Sequence, residues 1–205
     1  MAERRTRLSR SLAALALCLA ALTACGGGSD GEFHGNELDP PFTVPATPLT
    51  DTGGEDFSLV DDTDKDLTLV FFGYTHCPDI CGQVMSNLAT AMTRLDEGDR
   101  DRVDVVFVTT DPARDDEATL TRYLDGYDPD FIGLTGDLDT ISAIALPLGV
   151  GVEKGQRLPS GGYDVTHGTT VTAIDAHDRA PVYWHQETSA AQYAADLHQL
   201  LTAKS

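Results

Sequence analysis

The sequence predicts an α/β sandwich: a mixed central sheet flanked by helices, with a β-hairpin at its N-terminal side. Residues 67–72 (LTLVFF) and 103–108 (VDVVFV) are unbroken β-branched, aliphatic and aromatic runs, the composition of strands buried on both faces. The segments that follow them carry apolar residues at helical spacing. The order strand, helix, strand, helix, hairpin and closing helix buries its apolar faces only if helices cover a sheet.

Taken in order, residues 42–59 hold short apolar stretches broken by Pro45, Pro48 and Gly53-Gly54, which predicts a hairpin leading into the domain. After the strand at 67–72 and a loop over 73–80, Val84, Leu88, Met92 and Leu95 recur on one helical face that ends near Gly98. The strand at 103–108 runs into a Thr109-Thr110-Asp111-Pro112 turn. A helix is expected over 117–127 on Leu120, Tyr123 and Leu124, a short strand at 131–134, and a helix at 141–146 capped by Asp137 or Asp139 and stopped at Pro147. Residues 169–174 and 181–184 flank Ala176-His177-Asp178 as a second hairpin. A final helix over 189–201 turns Ala190, Tyr193, Ala194, Leu197 and Leu201 inward. This is the thioredoxin arrangement.

The N-terminus reads differently. Arg4, Arg5, Arg7 and Arg10 precede an Ala/Leu-rich run over 12–22, too short to span a bilayer comfortably and patterned as an export signal. It closes in Leu22-Thr23-Ala24-Cys25, which resembles a bacterial lipoprotein signal whose Cys25 becomes the lipid-carrying first residue. Residues 1–24 are therefore expected as the signal peptide, 25–41 as a flexible Gly-rich and acidic tether, and 42–205 as the domain. An acyl chain would hold that domain at the extracytoplasmic face of the bacterial cell membrane.

Charge narrows the function. The chain of 205 residues carries a formal charge of −19, and removal of 1–24 leaves 10 basic against 32 acidic residues, a net −22. No Lys/Arg cluster remains, which excludes nucleic acid as a partner. Of four cysteines, Cys18 leaves with the signal and Cys25 is assigned to the lipid, so the mature fold keeps Cys77 and Cys81. Outside the cytoplasm such a pair serves as a disulfide, a metal site, or both in alternation.

The chemistry concentrates in Gly73-Tyr74-Thr75-His76-Cys77-Pro78-Asp79-Ile80-Cys81, where the first long strand hands over to its helix. Ligands of open α/β sheets bind at that carboxyl edge. A spacing of four brings both sulfurs to one side of a helical turn, and the helix N-terminus favours thiolates. Paired thiolates are soft ligands suited to Cu(I) and, to a lesser degree, zinc. His167, in Tyr163-Asp164-Val165-Thr166-His167, stands at the start of the second hairpin and is the candidate third ligand. His76 is set aside as a neighbour of Cys77, and His34, His177, His185 and His198 as solvent-facing or structural. Asp79, Asp111 and Asp164 are candidate neighbours of the site. Asp79 serves equally as a helix cap, and Asp111-Pro112 as a turn.

FFGYTHCPDIC (residues 71–81), TTDPARD (109–115) and YDVTHGTTVTAID (163–175) together resemble the Sco/SenC family of copper-binding, thioredoxin-like proteins, over residues 42–201. The resemblance implies Cys77, Cys81 and His167 as copper ligands, and a copper metallochaperone supplying or preparing the dinuclear copper site of cytochrome c oxidase subunit II. It leaves room for a copper donor chaperone as a second partner. Two departures stand out: Gly82 follows the second cysteine where the family often has Pro, and Thr166 precedes the histidine where it often has Asp.

A thiol-disulfide oxidoreductase acting on the oxidase's copper-site cysteines is the rival reading. The CxxxC spacing and the lack of Pro between Gly161 and Asp175 argue against a general thioredoxin. A peroxidase using Thr75 and Arg114 fits the two cysteines and the facing histidine less well.

Overall fold

The computed structural model describes residues 31–158 and 162–203, with side chains described outside 153–167. The expected signal peptide and the Cys25 lipid site lie outside the described residues, as do the side chains of Asp164 and His167.

The described chain opens with β1 (Asn36–Thr43), β2 (Leu49–Asp51) and β3 (Asp56–Phe57). β4 (Leu67–Gly73) follows, buried along its whole length, then α1 (Ile80–Arg94) and the one-turn α2 (Glu97–Arg100). Next come β5 (Val103–Thr109), α3 (Glu117–Leu124), β6 (Ile132–Thr135), α4 (Leu138–Ala145) and a 3-10 turn (Leu146–Leu148) that takes in Pro147. β7 (Val152–Leu158) and β8 (Gly162–His167) pair as a separate two-stranded ribbon. β9 (Val171–Asp175), β10 (Arg179–Trp184) and α5 (Ala190–Thr202) complete the unit that begins at Phe33.

The main sheet has the order β1-β10-β9-β4-β5-β6-β2-β3. β4 and β5 are parallel and in register from Leu67↔Val103 to Gly73↔Thr109, and β6 continues the parallel set. β9 runs antiparallel to β4, pairing Phe71↔Val171. The period of two sorts β4 onto two cores. Leu67, Leu69 and Phe71 join the core under α1, α3 and α5, while Val70 and Phe72 join Ile141 and Ile144 of α4 on the other face. The mixed sheet between helical layers is the fold expected from the sequence.

Differences lie where the pattern is weak. The expected tether stops short: residues 36–41 are the first part of β1, paired to β10 from Asn36↔Tyr183. β1 is an edge strand, largely exposed, with a register shift between Glu37 and Phe42 that accommodates Pro40 and Pro41; Pro is tolerated there because an edge strand does not need every N–H. Phe33 packs on the core, and His34, expected to be solvent-facing or structural, is structural: it is tied to a buried carboxylate. The N–H groups of His34 and Gly35 donate to Asp196 at 3.0 and 2.8 Å, and Trp184 Nε1 donates to it at 2.8 Å. The ribbon of β7 and β8 has no counterpart among the elements expected from the sequence. His167 therefore ends β8, opposite Val152, rather than opening the strand of the second hairpin. α3 stops at Leu124, short of the expected 127, because the chain turns through Asp125 and Gly126.

Candidate metal centre

β4 ends at Gly73 on the carboxyl edge of the sheet. β5 holds that end in place: Thr110 N–H and its hydroxyl both donate to the Gly73 carbonyl, at 2.6 and 3.2 Å. A Cβ at Gly73 would lie 2.9 Å from Phe107, 3.0 Å from Phe71 and 3.2 Å from Cys81 Sγ. Only glycine lets the second sulfur sit this close against the strand.

Six residues link Gly73 to α1, and Cys77 N–H donates to the Tyr74 carbonyl at 3.2 Å to fold them into a turn. Asp79 occupies the N-cap position of α1, yet its side chain makes no capping bond, so the expected capping role is not filled by its carboxylate. The Cys77 sulfur takes it instead. Partial burial pushes the Cys77 thiol up, but the Cys81 thiol and the backbone N–H groups of Asp79, Cys81 and Ile80 outweigh this and hold it below the usual thiol value. A sulfur thus satisfies amides that a helix start otherwise leaves open.

Cys81, in the first turn of α1, is fully buried while Cys77 is partly exposed, and both are thiols. Burial pushes Cys81 far up, reinforced by the hydrogen bond with Cys77 and the negative charges of Cys77 and Asp115. The two sulfurs are therefore unequal: the Cys77 thiol ionises more readily than an ordinary thiol and the buried Cys81 thiol less readily.

Asp115 holds the loop beneath the sulfurs. It is fully buried and accepts from Thr75 N–H at 2.9 Å, from the Thr75 hydroxyl at 2.5 Å and from the Thr109 hydroxyl at 2.7 Å. His76 Nδ1 lies 2.9 Å from the Thr75 hydroxyl and 3.7 Å from Asp115, and its side chain is exposed. Asp111, also buried, pairs with Arg114, whose guanidinium lies 5.9 Å from the Tyr74 ring centroid. In the sequence Asp111 and Asp115 resemble a family acidic pair, of which only Asp111 is a candidate neighbour of the site; the charge that reaches Cys81 is that of Asp115. The signal was present in Thr109 and Asp115 flanking the turn after β5. Tyr123 was also missed: burial, then the Tyr127 hydroxyl and the charges of both sulfurs push its phenol up. At Gly82, the departure noted from the sequence, a Cβ would lie 3.4 Å from the Tyr127 hydroxyl.

Among the described residues no third His, Cys, Asp or Glu joins the two sulfurs. The backbone nevertheless puts His167 at this end of the sheet. Val171 opens β9 opposite Phe71, near the end of β4, and the four-residue step from His167 to Val171 spans at most about 14 Å.

This is a thioredoxin-like α/β domain with a CxxxC thiol pair at its strand-to-helix edge. A family model described as SCO1/SenC matches residues 36–202, and the chain belongs to that family. The structure of BsSco, 19% identical and alike in fold, is described as that of a member of the Sco family of cytochrome c oxidase assembly proteins. The mitochondrial SCO2 homolog of Mus musculus is 30% identical over 161 residues, 74% of this chain but only 63% of the mouse protein. The chain thus spans under two thirds of that relative's length. The solution structure of apo Sco1 from Thermus thermophilus is 31% identical with a TM-score of 0.76, covering 84% of this chain and 99% of that one. Bradyrhizobium japonicum ScoI, solved with copper bound, is 30% identical with a TM-score of 0.68, covering 77% and 99%.

Proposed function

We propose that this domain carries copper between Cys77, Cys81 and His167 and delivers it to, or prepares, the dinuclear copper site of cytochrome c oxidase subunit II. The observation that carries the reading is the thiol pair at the start of α1, Cys77 in the loop and Cys81 in the first turn, with the Cys77 thiol, against partial burial, drawn below its usual value by the Cys81 thiol and three backbone N–H groups. Two thiolates with one imidazole form a soft, three-coordinate donor set that suits copper. The buried Cys81 gives up its proton only to a strongly bound cation, so copper binding releases protons. Copper is cargo here, and the exposed Cys77 side is where a second protein's ligands would meet it.

Cys25 as a lipid anchor places the domain at the extracytoplasmic face of the bacterial membrane, where tethering raises its effective concentration near a membrane-bound acceptor. The acceptor and any copper donor come to this chain through its family membership. The same asymmetry of thiols, one reactive and one buried, also favours a second reading, thiol-disulfide exchange with the oxidase's copper-site cysteines.

Titration of the reduced protein with Cu(II) tests the first reading. Thiolate-to-copper charge-transfer absorption saturating at one equivalent is expected, lost in Cys77→Ser and weakened and shifted in His167→Ala. No such absorption in the unaltered protein would leave thiol exchange as the better account.

A further inference from the structure

Beside the Cys77 loop lies an open groove of about 250 Å³ lined by Thr75, His76, Thr119, Arg122 and Tyr123. It runs between the two residues preceding Cys77 and the outer face of α3. Thr75 and His76, the two residues before Cys77 in the chain, form one wall, so the groove lies beside the Cys77 loop.

Its charge is unusual for this molecule. In a chain of net charge −19, the cations with described side chains are mostly occupied. Arg100, Arg102 and Arg114 sit in ion pairs, and Lys65 donates to the Asp101 carbonyl at 2.7 Å. Arg94, Arg122 and Arg179 form no ion pair among the described residues. Arg122 lines the groove beside Thr75 and His76, the residues that precede Cys77. The neighbouring carboxylates have hydrogen bonds of their own: Asp116 accepts from Thr119 N–H at 2.8 Å as the cap of α3 while also feeling the charge of Arg122, and Asp115, buried under Thr75 and Thr109, lies 3.7 Å from His76 Nδ1.

We infer that this groove is a recognition subsite for a carboxylate on the protein that meets Cys77, held by Arg122 and the exposed His76 while its sulfur engages the thiol. The inference deepens the proposed function by naming the partner's chemistry, an acidic residue beside a reactive sulfur, and rests on that reading only for the partner's identity. An acidic domain repels an acidic partner at long range; an exposed guanidinium in no ion pair closer than 4 Å among the described residues, on a groove beside the Cys77 loop, lets one carboxylate choose the docking point.

Thiol exchange reads this out without copper. Cys77 thiolate attacks one sulfur of a disulfide RSSR, a Cys77–S–S–R bond forms, and RS⁻ leaves, so the probe is the oxidant and charge balances. The full chain, reduced and metal-free, is reacted with dianionic 5,5′-dithiobis(2-nitrobenzoate) and with neutral 4,4′-dithiodipyridine, and the ratio of initial rates is taken. Arg122→Glu is expected to lower the dianion-to-neutral ratio about three- to tenfold and Arg122→Gln by less. The difference should collapse in 1 M salt, where the screening length falls from about 10 Å to about 3 Å. Arg94→Glu, the same charge change at the far end of α1, controls for net charge and should move the ratio less than twofold. A ratio unmoved by Arg122→Glu, or moved equally by Arg94→Glu, overturns the inference. Because the assay contains no copper, a failed copper titration with an Arg122-dependent ratio removes the metal reading and leaves the subsite; the converse removes the subsite alone.

Discussion

Replacing Asp115 by Ala strips one acceptor from three donors at once: Thr75 N–H, the Thr75 hydroxyl and the Thr109 hydroxyl. Hydrogen bonds to a charged group contribute about 1.5–3 kcal/mol each, and an orphaned buried donor costs about 1–3 kcal/mol. The Thr75 hydroxyl keeps His76 Nδ1 as an alternative at 2.9 Å, and relief of the carboxylate's own desolvation offsets part of the loss. About 3 kcal/mol of destabilisation is therefore expected, a substantial share of a total near 5–15 kcal/mol. At roughly 2–4 °C per kcal/mol for a domain of this size, Tm falls by about 6–12 °C. Asp115→Asn keeps an acceptor for the Thr75 amide and should lose about half as much. Urea denaturation of the reduced, metal-free protein measures both. A loss below about 1 kcal/mol for Asp115→Ala would show that the loop under the sulfurs is held by something other than this carboxylate.

Three further outcomes follow from the same structure. Alkylation by iodoacetamide should modify Cys77 with a pH midpoint below the ordinary thiol value and leave Cys81 unmodified in the native protein; equal labelling of both would contradict the asymmetry. Asp196→Ala leaves Trp184 Nε1 and the N–H groups of His34 and Gly35 without their acceptor. It should cost about 3 kcal/mol and open residues 33–41 to protease, and undiminished protease resistance would count against the anchoring of β1 at this point. Asp104 is pushed up by burial and by Asp64 against the pull of Lys65. Its proton is bound more tightly in the folded chain, so this group stabilises the fold only while protonated, and that contribution is lost as pH rises from the ordinary carboxylate value through the raised one. Asp104→Asn should accordingly raise Tm at pH 7, with the gain vanishing below about pH 4; a gain independent of pH would point to another cause.

The parts of this molecule legible in its sequence are those where one physical demand dominates. β4 and β5 are buried on both faces, so nearly every position is apolar and the runs stand out. α1 and α5 cover the sheet on one face and show the corresponding period. The cysteine pair is visible because its spacing is chemical rather than structural. β1 is hidden because an exposed edge strand needs no alternation and admits prolines, so its composition is that of a linker. β7 and β8 pair only with each other, outside the main sheet, and a two-stranded ribbon without a large core leaves a weak pattern. Asp115, Asp196 and Gly73 act through partners distant in sequence: Thr75 is 40 residues from the first and His34 is 162 from the second. Local patterns carry no trace of such pairings.

The most direct test of the central claim is the coordination shell of copper itself, by X-ray absorption on the copper-loaded full chain. Two sulfur scatterers and one imidazole are expected, with the imidazole lost in His167→Ala and one sulfur lost in Cys81→Ser. A shell unchanged by His167→Ala, or one with no sulfur, would contradict it.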